Sequence, residues 1–146
     1  MAYILGAVLA FAIGVLATSV GFDRDRAFYP TVMIVIASYY VLFAVIGGSV
    51  PSMAIESAVM AGFLGASIVG FRSTLWLVVA ALAAHGLFDL VHGRLIANPG
   101  VPAWWPAFCL AYDVMAAAYL AWLLSRSRVR AGATEHQNAA DAPLSR

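Results

Sequence analysis

The 146-residue chain has no lysine, a single cysteine and only 10% charged residues. Soluble globular domains carry about 25% charged residues, which cover their water-facing surface. A soluble enzyme domain is therefore excluded. A disordered protein is excluded as well, because such chains are polar and rich in charge. The formal net charge of +1 gives no broad basic field, so no nucleic-acid partner is expected. The lone Cys109 can form neither an internal disulfide nor a zinc site built on cysteines; it reads as a small core residue. Also missing are a G-x-S-x-G elbow, a phosphate-binding glycine loop, a dinucleotide fingerprint and an H-E-x-x-H zinc motif.

What remains is apolar. Hydrophobic residues make up 64% of the chain, and the mean hydropathy is +0.91. Five apolar runs stand out, at 3–21, 31–46, 53–71, 75–93 and 105–124. Each approaches the roughly 20 residues that a helix needs to cross the hydrocarbon core. Barrel strands alternate apolar and polar residues, whereas these runs are apolar on every side. The expected fold is all-α: a polytopic membrane protein, a bundle of five transmembrane helices, with the lipid bilayer as its main partner. The breaks are the charged stretch 22–26, the turn 47–52, the short turn 72–74 and the Pro-Gly segment 98–102. Residues 126–146 read as a disordered polar tail carrying a solvated His136.

The arginines set an orientation. The first run has no positive residue before it, so it does not read as a cleaved signal peptide. With the N-terminus outside, the inner side holds Arg24, Arg26, Arg72, Arg126, Arg128, Arg130 and Arg146, and the outer side only Arg94. That asymmetry fits the positive-inside rule and places the C-terminal tail in the cytoplasm. Small residues recur every four positions at Gly6, Ala10 and Gly14, and at Ala58, Gly62, Ala66 and Gly70. Such stripes let helices approach closely, either within one bundle or in a homo-oligomer. Trp104 and Trp105 beside Pro106 read as an interfacial anchor rather than as a substrate-stacking pair.

Ionisable groups inside a membrane are costly and mark a site by default. Here they are Glu56, His85, Asp89, His92 and Asp113, with Arg72 and Arg94 at span ends. In this topology the two histidines and three carboxylates fall in the outer half, together with Tyr39 and Tyr40; apart from Thr18 and Ser19 the inner half is close to bare. His85, Asp89 and His92 stand at i, i+4 and i+7 and so share one helix face. Two imidazoles and a carboxylate are a ligand set that divalent metals accept. Asp113 or Glu56 can add a ligand from another helix. The expected metal ligands are His85, Asp89, His92 and Asp113, with His85, Asp89 and Asp113 as catalytic groups. Glu56, Tyr39, Tyr112 and Asn98 are expected to line the pocket. The same residues also suit a proton relay, or a structural network in which Asp89 accepts from His85 or His92, and Asp113 from Tyr39 or Arg94. A haem held by two histidines fits poorly, because His85 and His92 share a face.

The block running from Ala84-His85-Gly86-Leu87-Phe88-Asp89-Leu90-Val91-His92-Gly93 through Asn98-Pro99-Gly100-Val101-Pro102-Ala103-Trp104-Trp105-Pro106 to Phe108-Cys109 and Tyr112-Asp113-Val114 resembles a family of small bacterial membrane proteins of similar length. The resemblance covers the last two spans. It implies a multi-pass protein of the bacterial inner membrane and carries no activity. Three functions stay open: a membrane enzyme acting on a lipophilic small molecule through a divalent metal or acid–base chemistry, a small proton-coupled transporter, and a non-catalytic subunit whose polar cluster only fixes helix register.

Overall fold

Small residues point inward and large ones outward. Helix α1 (Ala2–Val20) buries Gly6, Ala10, Gly14 and Ala17, while Leu5, Leu9, Phe11 and Leu16 are exposed. In water this pattern would be inverted. In lipid, burying a leucine gains little, and close approach of backbones holds helices together. Four more helices follow: α2 (Phe28–Ile46), α3 (Val50–Arg72), α4 (Trp76–Leu95) and α5 (Trp105–Ser125). The structure is a computed structural model describing residues 1–129. All five helices are long and apolar enough to cross a membrane, and the described residues form no strand. The all-α, five-helix expectation holds.

Two helices begin earlier than expected, and proline is the reason. Pro30 lies just before the expected second run and Pro51 in the expected 47–52 turn, yet each lies in the first turn of a helix, α2 and α3 respectively. There the missing backbone N–H has no intrahelical partner to lose. Ser49 caps α3, its Oγ accepting from the Ser52 N–H at 3.3 Å. At the other end of α3, Arg26 donates to the carbonyls of Gly70, Phe71 and Ser73 at 2.9–3.1 Å. That ties the charged first connector to the helix terminus whose partial negative charge attracts a cation.

The helices follow the order α1, α5, α4, α3, α2 around the bundle, with a smaller contact between α2 and α4. Consecutive helices α1 and α2 share no extensive contact. Gly6 lets α1 sit against α5, because a Cβ there would collide with the Phe108 carbonyl. The bundle has two rims. Gly100 of the 96–104 loop packs on the Phe43 carbonyl and on Gly47 at the end of α2, and Met1 lies near Trp104; this is the N-terminal rim. The 21–27 connector, the 73–75 turn and residues 126–129 form the C-terminal rim.

Two expectations change here. The region expected to be bare holds a polar cluster at the C-terminal rim. Thr18 donates to the buried Asp23 at 2.6 Å and lies 3.0 Å from the Tyr119 hydroxyl. Buried Ser67 and Tyr29 lie in the same half. The cluster arises because Asp23 folds back onto α1, a tertiary choice that span counting misses. Residues 126–129, expected to belong to the tail, are held against the end of α5. The Arg128 N–H donates to the Leu123 carbonyl, Arg128 lies over the Trp122 ring, and Val129 is buried. Residues 130–146, including His136, lie outside the described residues.

Candidate metal centre

Helix α4 turns Val78, Ala81, Leu82, His85, Gly86, Asp89 and His92 inward. This is the stripe that a 3.6-residue period gives. The polar members of that stripe meet α2, α3 and α5 at successive depths below the N-terminal rim.

Nearest the rim, the ring nitrogen Nε2 of His92 lies 2.7 Å from Glu56 Oε1 on α3. Asn98 donates to the same carboxylate at 2.9 Å and to the Tyr40 carbonyl at 3.0 Å. One turn deeper, the Tyr40 hydroxyl donates to Asp89 Oδ1 at 2.6 Å. The Tyr40 ring also stacks on His92, with centroids 3.9 Å apart. Deepest is His85, about 15 Å from the end of α4 at 1.5 Å per residue. Its Nδ1–H donates to Asp113 Oδ2 on α5 at 2.7 Å and lies 3.8 Å from Asp89 Oδ2. Cys109 Sγ, one turn before Asp113, is 3.8 Å from the same carboxylate oxygen.

His85, Asp89, Cys109 and Asp113 each offer one donor atom, all within 4.8 Å of one another, and all four residues are buried. Two carboxylate oxygens in this group, Asp89 Oδ2 and Asp113 Oδ1, are buried without a hydrogen-bond partner. A buried polar atom left unpaired costs about 1–3 kcal/mol, more when charged. Imidazole nitrogen, carboxylate oxygen and thiolate sulfur are the donors that Zn²⁺ accepts in tetrahedral sites. Two ionised carboxylates with a neutral imidazole carry a formal charge of −2, and −3 with Cys109 as the thiolate that binds metal, so the group as a whole attracts a divalent cation.

The expected residues do not all converge. His85, Asp89 and Asp113 come together, but His92 belongs to a separate pair with Glu56. The reason is helical rise: His85 and His92 share a face, yet seven residues separate them by about 10 Å along the axis. Metal–nitrogen bonds of about 2 Å cannot span that gap from side chains pointing the same way. Glu56 and Asn98 join the rim pair. Tyr39 and Tyr112 line an apolar cavity between α1, α2 and α5 instead. The network expected for the carboxylates is also rewired: Asp89 accepts from Tyr40, and Asp113 from His85 rather than from Tyr39 or Arg94.

Two contributors were not read as site residues. Cys109 is in the group because Cys109 and Asp113 are four residues apart on one face of α5, a spacing visible in the sequence. Tyr40 rather than Tyr39 reaches Asp89 because α2 buries Met33, Ala37, Tyr40 and Ala44, a stripe that excludes position 39. Of the tryptophan pair at the rim, Trp105 packs on Tyr39 and Phe43, with ring centroids 4.9 Å away in each case, and Trp104 is the exposed member. Among the small-residue stripes, that of α1 is used inside the bundle, while a Cβ at Gly62 on α3 would meet nothing. Compared with known proteins, the chain matches no family model, no curated sequence and no solved structure.

Proposed function

We propose that this is a metal-dependent membrane enzyme acting on a lipophilic substrate. His85, Asp89 and Asp113 hold a divalent cation, with Cys109 as the fourth donor, and Zn²⁺ best matches this mixed set. The observation that carries the reading is the buried group of four donors within 4.8 Å of one another, two of whose carboxylate oxygens lack any partner. The cation would act as a Lewis acid towards a carbonyl or a water. To hold it, His85 would carry its single proton on Nε2 and Cys109 would bind as the thiolate, so metal uptake would release the thiol proton. Tyr40 orients Asp89 from behind, as outer hydrogen-bond partners of metal ligands do. The arginine asymmetry supports an orientation with the N-terminal rim outside, and the resemblance of the last two spans supports a bacterial inner-membrane location.

The test is elemental mass spectrometry of the full chain purified in detergent. About one zinc per chain is expected, and none in folded His85→Ala or Asp113→Asn variants. A metal-free parent would sink the reading. It would leave a second one, a non-catalytic subunit in which hydrogen bonds fix helix register, which the Glu56–His92–Asn98 cluster favours because its bonds join α3, α4 and the 96–104 loop.

A further inference from the structure

Because α1 packs on α5 and not on α2, the bundle is open on one side. The opening is a cavity of about 480 Å³, within the range of about 300–1,000 Å³ usual for small-molecule sites. Its walls come from α1 (Leu9, Ile13), α2 (Phe28 to Tyr39) and α5 (Trp105 to Tyr112). Along α2 it extends over eleven residues, about 16 Å of helix. The cavity therefore runs along the membrane normal, parallel to the chains of the surrounding lipid. Val35 and Leu9 at its edge are exposed to the hydrocarbon side.

The wall is apolar except at specific points. At the N-terminal rim, Trp105 Nε1–H is buried and has no hydrogen-bond partner. An indole N–H is a donor only, so its missing partner is an acceptor. Midway along the α5 wall is Cys109, whose sulfur is 3.8 Å from Asp113 on the other side. The cavity and the four-donor group thus share one residue as their partition.

We infer that this cavity binds one long fatty acyl chain drawn sideways from the bilayer, with its carbonyl accepting from Trp105 Nε1–H and its chain lying past Cys109. The slot is long and narrow, aligned with lipid chains and open towards them, and its buried unpaired donor, Trp105 Nε1–H, lies at the rim where lipid carbonyls lie, with the Tyr39 and Tyr112 hydroxyls also on its wall. The inference names the substrate class for the proposed enzyme and rests on that reading for what happens to the chain, though not for its binding.

The test uses the full chain in phosphatidylcholine nanodiscs and the methyl ester of a diazirine-bearing hexadecanoic acid. After irradiation, adducts are mapped by peptide mass spectrometry. They are expected on Ile13, Val35 and Ile36. Val35→Trp, which fills the opening, should lower labelling at least several-fold. Trp105→Phe, which keeps an aromatic side chain, though a smaller one, and removes the donor, should lower it about three- to tenfold, the worth of one hydrogen bond. Adducts spread over the outer faces of α3 and α4, labelling unchanged in either variant, or displacement by geranylgeraniol in preference to methyl hexadecanoate would overturn the inference. Metal content is read on the same samples. A metal-free protein that still labels removes only the metal reading, and a metal-loaded protein that does not label removes only this one.

Discussion

His85 stands between two carboxylates from two helices: its Nδ1 lies 2.7 Å from Asp113 on α5 and 3.8 Å from Asp89 on its own helix. One imidazole nitrogen can satisfy one oxygen well, and Asp89 Oδ2 and Asp113 Oδ1 are left over. A cation at the centre would serve both, which gives the site its most direct spectroscopic consequence. Cobalt-substituted protein should show a thiolate-to-metal charge-transfer band. Cys109→Ser should abolish that band while retaining bound metal, because three donors remain. A parent spectrum without the band would remove Cys109 from the ligand set.

Among the four donor residues, Tyr40 hydrogen-bonds Asp89 alone, at 2.6 Å. Tyr40→Phe leaves the ring stacked on His92 and removes only this support. Outer-shell losses of this kind lower metal affinity about 10–100-fold. Competitive chelator titration of parent and variant measures the ratio, and equal affinities would show that Asp89 needs no orientation.

The Glu56–His92 pair is separate from the metal group, so its loss should affect stability and not metal content. Removing one partner of a buried hydrogen bond costs about 1–3 kcal/mol, because the other is left unpaired. His92→Leu should therefore melt well below the parent in detergent, and Glu56→Leu combined with His92→Leu should recover much of the difference. Zinc should stay at the parent level in both. Zinc lost from a folded His92→Leu protein would restore His92 to the ligand set.

Glycine substitutions should separate packed from open positions. A Cβ at Gly100 would collide with the Phe43 carbonyl, one at Gly6 with the Phe108 carbonyl, and one at Gly62 with nothing. Overpacking typically costs about 1–3 kcal/mol. Gly100→Ala and Gly6→Ala should lower the melting temperature, and Gly62→Ala should leave it within error. A destabilising Gly62→Ala would mean that another helix covers that face of α3.

Orientation has its own test. In a Cys109→Ala background, a cysteine at Ser49 should react with an impermeant maleimide added to intact cells. One at Ser73 should react only after lysis. The reverse pattern would put the N-terminal rim in the cytoplasm and overturn the arginine-based topology.

The amino-acid sequence by itself determined that the chain forms five membrane-spanning helices, because hydrocarbon admits only runs that are apolar and satisfy their own backbone hydrogen bonds. It also singled out the chemistry-bearing residues, since few ionisable groups occur within the spans and each is costly there. Spacing on α4 put His85, Asp89 and His92 on one face, and that is how they lie. Periodicity reports angle, however, and ligation also needs depth. The tertiary structure decided that His92 pairs with Glu56 while Asp113 and Cys109 come to His85, because those choices depend on which helix lies opposite at each level. It decided too that Tyr40 and not Tyr39 meets Asp89, and that Asp23 folds back onto Thr18. Above all, it set α1 against α5 rather than α2. Small residues on α1 permit close packing on any partner, and matches along α5, Gly6 on the Phe108 carbonyl and Gly14 on the Tyr119 ring, select one, leaving beside the buried carboxylates a cavity that no pattern in the sequence announces.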